Sequence, residues 1–334
     1  MQAVRILGIL ALLIVAASPR AEAAPPVLSF PVDCEIGRVC SIQKYVDHDT
    51  TAGYRDYRCG PLSSDKHDGT DIRLPDVRAM ERGVSVIAAA DGTVVNTREG
   101  MPDVNVKLVG ENAVTDRGLG NRVVISHGDR WLTVYAHLKR ASLTVKKGDR
   151  VTKGQMLGQI GMSGLSEFPH LHFSVRHGNT VVDPFTGAEP YAGCGAGAAP
   201  LWAPETLARL SYIPSFIMHS GFATRSMARI ALQYGLYDQE VLPRRHGHLY
   251  FGVFAAGLYA DDRYAITLQD GSGRKVAEKA GPVSRLRSVA FFVLHHSPGG
   301  PLPAGRYEAR FTLTGVRDGR PMTVFDETRS VLLQ

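Results

Sequence analysis

Cysteine is scarce in this 334-residue chain, which has four: Cys34, Cys40, Cys59 and Cys194. No CxxC pair occurs among them, which argues against a cysteine-built zinc module. An even count in an exported chain predicts two disulfides, with three pairings open. Long apolar runs are also missing after the N-terminus, so no helical membrane span is expected beyond it. Blocks of like charge are absent, since basic residues cluster only in short runs such as Lys146-Lys147 and Arg244-Arg245. The net charge of +6 is therefore a general bias toward anionic surroundings such as wall polymer, and no nucleic-acid partner is expected. No internal repeat is visible. With 44% hydrophobic and 21% charged residues, the composition excludes wholesale disorder.

What is present begins with an export signal. Arg5 precedes the apolar stretch Ile6 to Ala17, and Ala21-Glu22-Ala23 supplies a cleavage pattern. Residues 1–23 are expected to be a signal peptide, which predicts a periplasmic or extracellular protein without a transmembrane span after cleavage. Length allows two domains. Residues 84 to 192 read as serial short strands punctuated by glycine turns, with no convincing helix. Examples are Arg122 to His127 and Trp131 to Leu138, joined by Gly128-Asp129. This is the pattern of an antiparallel β domain, expected over residues 24–192. Residues 98 to 119 form a polar loop long enough to suggest function. A Gly-, Ala- and Pro-rich stretch opens residues 193–245, expected as a linker with a short helix near Thr224 to Gly235. Cys194 could pin that linker back to the first domain. Residues 246–334 read as a small β-sandwich-like domain.

The chemistry gathers around Pro169-His170-Leu171-His172-Phe173, an alternating strand pattern. On a strand, residues two apart share a face about 6.6 Å apart. Such a pair is compatible with two ordinary histidines or with half of a metal site. Upstream, His67-Asp68-Gly69-Thr70-Asp71 favours the metal site, because a bend at Gly69 can bring His67 and Asp71 onto one ion. Two nitrogens and one carboxylate oxygen are a ligand set for catalytic zinc, with one of His170 and His172 as the third ligand. The other imidazole is then free as a general base. His137, closing Tyr135-Ala136-His137-Leu138, is structural if taken alone and a second catalytic histidine in that company. His127 reads as a structural hydrogen-bonder. The histidines at 246, 248, 295 and 296 read as surface residues.

In this order the pieces resemble the lysostaphin-like (LytM-type) zinc metallopeptidases, which are peptidoglycan endopeptidases. The matching pieces are His67-x-Gly-x-Asp71, Gly120-Asn121 through His127-Gly128, Thr133-x-Tyr135-Ala136-His137-Leu138, the Val145 to Gln155 turn series and His170-Leu171-His172-Phe173. The resemblance covers roughly His67 to Pro184. It implies a two-sheet antiparallel β domain with one Zn2+ held by His67, Asp71 and His172, and His137 and His170 as catalytic histidines. It also implies hydrolysis of peptide crosslinks by zinc-bound water, with peptidoglycan stem peptides as the partner. The alternatives are an inactive wall-binding or hydrolase-activating protein of the same fold, or a zinc peptidase for another peptide. A protein regulator bound through the C-terminal domain is a further candidate partner. Phe168 departs from the family, standing where a small residue is usual at the groove edge. Ser174 stands where an acid is common.

Overall fold

The computed structural model describes residues 24–195, 199–317 and 319–334. The expected signal peptide lies outside them. The first unit contributes β1 (Ser41–Lys44), β2 (Thr70–Arg73), β3 (Ser85–Ile87), β4 (Gly92–Arg98), β5 (Asn121–Ser126), β6 (Trp131–Leu138), β7 (Arg150–Val151), β8 (Met156–Gln159), β9 (His170–His177) and β10 (Thr180–Val182). Seven of these run β1-β2-β9-β6-β5-β4-β7 in one antiparallel sheet, with β10 also on β9, while β3 and β8 pair separately. The fold class is thus all-β with two antiparallel sheets, as the strand pattern predicts.

Alternation explains which side of β9 does what. Leu171, Phe173 and Val175 enter the hydrophobic core, joined from β6 by Tyr135 and from β5 by Val123 and Ile125. Strand residues of one parity share a face. His170, His172 and Ser174 therefore lie on the other side, yet they too are buried. Something covers that second face, and the neighbouring loops and the second unit do so.

Two departures from the strand pattern matter. The loop 98 to 119 carries a short helix, Val106–Val109, and a 3-10 turn, Glu111–Val114. The helix is capped by Asn105, whose Oδ1 accepts from the Lys107 N–H at 2.9 Å. Nor is the stretch 193–245 only a linker with a helix. The helix is present at Arg229–Gln233, but Phe216–Ala223 forms β11. Leu201 and Trp202 are buried in the first core, where Trp202 stacks 5.7 Å from Phe173. Backbone hydrogen bonds from Leu28 to Leu201 and from Ala203 to Leu28 fasten the stretch there, at 2.7 and 2.8 Å. The disulfide Cys59–Cys194 ties its start to the first unit, and Cys34–Cys40 is the other bridge.

The second unit continues with β12 (Val241–Leu242), β13 (Leu249–Leu258), β14 (Arg263–Gln269), β15 (Lys275–Pro282), β16 (Arg287–His296), β17 (Gly305–Arg317) and β18 (Arg320–Leu333). They form the sheets β11-β13-β16 and β12-β18-β17-β14-β15. On β17, Tyr307, Ala309, Phe311 and Leu313 alternate inward and meet Phe251, Val253 and Leu294 of the other sheet in one core. No helix among the described residues is long and apolar enough to cross a membrane.

Candidate metal centre

Register builds the site. β2 pairs β9 with Asp71 opposite His172 and Arg73 opposite His170, while Ala136 of β6 lies on the other flank of His172. Asp71 and His172 are thus cross-strand neighbours on one face. His67 reaches them from the bend before β2. His67 Nε2 lies 3.0 Å from Asp71 Oδ1, and His172 Nδ1 also lies 3.0 Å from that oxygen. The donor atoms of these three residues all fall within 4.8 Å of one another. Two imidazole nitrogens and one carboxylate oxygen converging in this way suit a zinc ion with an open position.

The outward nitrogens support that use. His67 Nδ1 donates to the Tyr45 carbonyl at 2.8 Å, which leaves Nε2 with its lone pair toward the cluster. His172 Nε2 lies 3.1 Å from Asp68 Oδ1, which leaves Nδ1 facing Asp71. Asp68 in turn is held by Arg176. A carboxylate behind a ligating imidazole is a recurrent outer partner of metal sites.

Gly69 is the hinge that makes this possible. A β-carbon there would come within 2.6 Å of His172 Cε1 and Nε2 and 2.8 Å of the Phe173 carbonyl. Only a residue without a side chain lets the bend sit flat against the His172 ring.

Two further imidazoles stand beside the cluster. Strict alternation would send His137 to the core face with Tyr135. Its φ of 60° breaks the alternation. Its ring instead sits 4.6 Å from that of His170 and 5.9 Å from that of His172. Holding a non-glycine residue there costs on the order of 1–3 kcal/mol, and such strain gathers at functional positions. Surrounding bonds hold it. The His137 N–H donates to Leu119 and its carbonyl accepts from Gly161, both at 3.0 Å, while Nδ1 donates to the Ser163 carbonyl at 2.7 Å. His170 Nδ1 donates to the Phe168 carbonyl at 2.8 Å. In both rings Nε2 keeps its lone pair, and that of His170 lies 3.5 Å from Asp71 Oδ1.

Charge follows burial and partners. Burial and the neighbouring His170 and His172 hold His137 well below the ordinary histidine range. Burial, only partly opposed by Asp71, pushes His170 down to about 4. Both are neutral near pH 7. Burial also opposes charge on His172, but Asp68 and Asp71 outweigh it and raise the metal-free group to about 9. Burial works against ionisation of Asp71, yet His67 and His170 overcome it, so its carboxyl lies well below the usual range.

The face opens into a groove of about 910 Å³. Tyr54, Glu111 and Leu119 line it from the first unit, and Arg229, Phe254 and Arg287 from the second. Arg229 bonds Glu167 across the two units at 2.6 Å. Phe168 does not stand free at the edge. It stacks 4.4 Å from the His170 ring and is backed by Arg73 at 5.4 Å.

All five residues singled out in the sequence lie together here. His127 lies apart, bonded to the Asp91 carbonyl and Thr133 Oγ1 at 2.6 and 2.8 Å. Asn121 is buried and fastens the long loop through the Met101 backbone. Sequence reasoning missed Asp68, Gly69 as a packing requirement, and the groove residues of the second unit. Only Gly69 had a local signal.

Comparison with known proteins bears on the stretch that holds these residues. Residues 65–184 match Peptidase family M23, and the resemblance to the lysostaphin-like, LytM-type family holds for this stretch. The chain is 32% identical over 125 residues to cell division protein DipM of Caulobacter vibrioides, covering 37% of this chain and 17% of DipM. It is 35% identical over 109 residues to peptidoglycan DD-endopeptidase ShyA of Vibrio cholerae, covering 33% of this chain and 20% of ShyA. It is 31% identical over 106 residues to murein hydrolase activator NlpD of Escherichia coli, covering 32% of this chain and 23% of NlpD. The chain thus spans about a fifth of the length of these relatives.

Proposed function

We propose, taking the M23 character of residues 65–184 as premise, that this is an exported zinc-dependent endopeptidase that hydrolyses peptide crosslinks of peptidoglycan. The observation that carries the reading is the convergence of the His67, Asp71 and His172 donor atoms within 4.8 Å, with the His137 and His170 rings beside them. A zinc ion held by His67, Asp71 and His172 would polarise the scissile carbonyl and make water a competent nucleophile at neutral pH. His170 Nε2, free of a proton and next to Asp71, takes the proton of the attacking water. It passes that proton to the leaving nitrogen as the C–N bond breaks. The His137 ring, 4.6 Å from that of His170, carries its Nε2 lone pair in the same space, where it orients the attacking water as a hydrogen-bond acceptor. Burial keeps both rings neutral near pH 7, so each Nε2 presents a lone pair.

A second reading, an inactive activator of wall hydrolases, draws support from the likeness to a relative named as a murein hydrolase activator. Digestion of purified peptidoglycan by the zinc-loaded full chain, followed by mass analysis, separates the two. The endopeptidase reading predicts loss of crosslinked dimers. Dimers that persist while a partner hydrolase is stimulated would establish the activator reading instead.

A further inference from the structure

The groove carries more positive charge than the metal centre alone explains. Apart from Asp71, its acidic lining residues are Glu111 and Glu167. Both are already neutralised. Glu111 pairs with Lys107 at 2.6 Å, and Glu167 pairs with Arg229 at 2.6 Å and with Lys107 at 3.7 Å. Three lining cations remain: Lys44, Arg285 and Arg287. None of them has a carboxylate within ion-pair distance among the described residues. The Lys44 ammonium donates to the Ser64 hydroxyl at 3.2 Å. Arg285, in the bend before β16, and Arg287, the first residue of β16, both line the groove.

Besides His172 Nε2, which faces Asp68 Oδ1 at 3.1 Å, two buried polar atoms of the same lining lack a hydrogen-bond partner among the described residues. They are Ser288 Oγ, beside Arg287, and Gln43 Oε1, beside Lys44. A buried polar atom without a partner costs about 1–3 kcal/mol, so such atoms gather where a ligand supplies the missing bond. The hydroxyl can donate to an anion, and the amide oxygen can accept from a peptide N–H.

We infer that the second unit builds an anion subsite into the groove, in which Arg285, Arg287 and the Ser288 hydroxyl bind a carboxylate of the peptide substrate while Gln43 accepts one of its N–H groups. The inference rests on the endopeptidase reading and names the class of peptide it takes, one carrying a free carboxylate near the scissile amide. Guanidinium groups suit this task because their paired N–H donors match the two carboxylate oxygens. It also gives the second unit a role in substrate choice.

The test is a binding titration of the full chain, zinc-loaded and zinc-free, with His170→Ala in all samples to prevent cutting. The probes are a dye-labelled crosslinked peptide dimer isolated from peptidoglycan and the same dimer with its carboxylates converted to carboxamides. The carboxylate dimer is expected to bind about tenfold tighter, the sum of two partly exposed charge contacts, with the preference shrinking as salt rises. Arg285→Gln with Arg287→Gln should bring the ratio close to one. Arg285→Glu with Arg287→Glu should invert it, which also shows that the variant surface is folded and in contact with the probe. Equal binding of the two dimers by the parent, or a ratio unmoved in both double variants, overturns the inference. Cutting of the dimer by the chain with His170 intact is scored separately. Preference without cutting sinks the endopeptidase reading and leaves the subsite standing. Cutting without preference does the reverse.

Discussion

His172 and Asp68 face each other at 3.1 Å, imidazole Nε2 to carboxylate Oδ1, on the side of the ring turned away from Asp71. Arg176 holds the same carboxylate from β9. Asp68 therefore acts on the proposed metal through His172, its carboxylate facing the side of the ring turned away from Asp71. Asp68→Asn keeps the shape and removes the charge. Zinc affinity, read by chelator competition, should fall about 10–100-fold while one zinc still binds at saturation. Unchanged affinity would mean that Asp68 serves only Arg176.

His137 and His170 should separate from the ligands in their response to substitution. His67→Ala or His172→Ala should abolish zinc binding at one equivalent. His170→Ala and His137→Gly should retain the zinc and lose about 10²–10⁴-fold in kcat, the usual contribution of a positioned acid or base. Glycine is the informative choice at 137, because it accepts the φ of 60° and leaves the backbone path undisturbed. Loss of zinc in His137→Gly, seen by elemental analysis, would count against its assignment as a catalytic group.

Much of this site was legible from the sequence because it is written in short spacings. His170 and His172 share a strand face, and His67 and Asp71 flank one glycine. Asp68 escaped because, one residue from His67, it has no spacing signal toward a histidine 104 positions later, and only the strand register brings the two together. Arg285 and Arg287 escaped for a similar reason, since packing between units is non-local. β11 was unreadable for a different reason. Phe216–Ala223 shows no in-out alternation, with its first half partly exposed and its second half buried on both sides, so neither period stood out. His137 would have been assigned to the core by alternation alone. Its place in the groove depends on a left-handed backbone that sequence pattern does not reveal.

Acid should weaken the fold through His219 as well as through the site. His219 Nε2 bonds the Pro75 carbonyl between the two units. Burial, aided by the nearby Arg73 charge, pushes its pKa down to about 4. An unfolded histidine titrates near 6.5. Between those values the unfolded chain binds the extra proton, so stability falls as pH drops from about 6.5 to about 4 and is unaffected above. The loss is bounded at about 3 kcal/mol and should be smaller, because His219 keeps some contact with solvent. Denaturant unfolding of the metal-free chain at pH 7.5 and pH 4.5 should show a smaller acid penalty for His219→Gln than for the parent. Identical penalties would remove His219 from the account.

Gly69 gives the sharpest separation of packing from ligation, because it touches a proposed ligand without being one. In Gly69→Ala the added methyl would lie 2.6 Å from the His172 ring and 2.8 Å from the Phe173 carbonyl. The carbonyl belongs to the central strand and cannot yield, so the methyl must displace either the bend before β2 or the ring. Movement of the bend carries His67 away from Asp71. Movement of the ring carries His172 Nδ1 away from the same carboxylate. Both routes widen the donor triangle, so zinc affinity should fall although all three donors remain. The chain outside the site is untouched, so the loss should appear in zinc competition and leave most of the core amide protection intact. An alanine variant that binds zinc as tightly as the parent would show that the bend has slack, and that the close approach of Gly69 to His172 is not what sets the metal geometry.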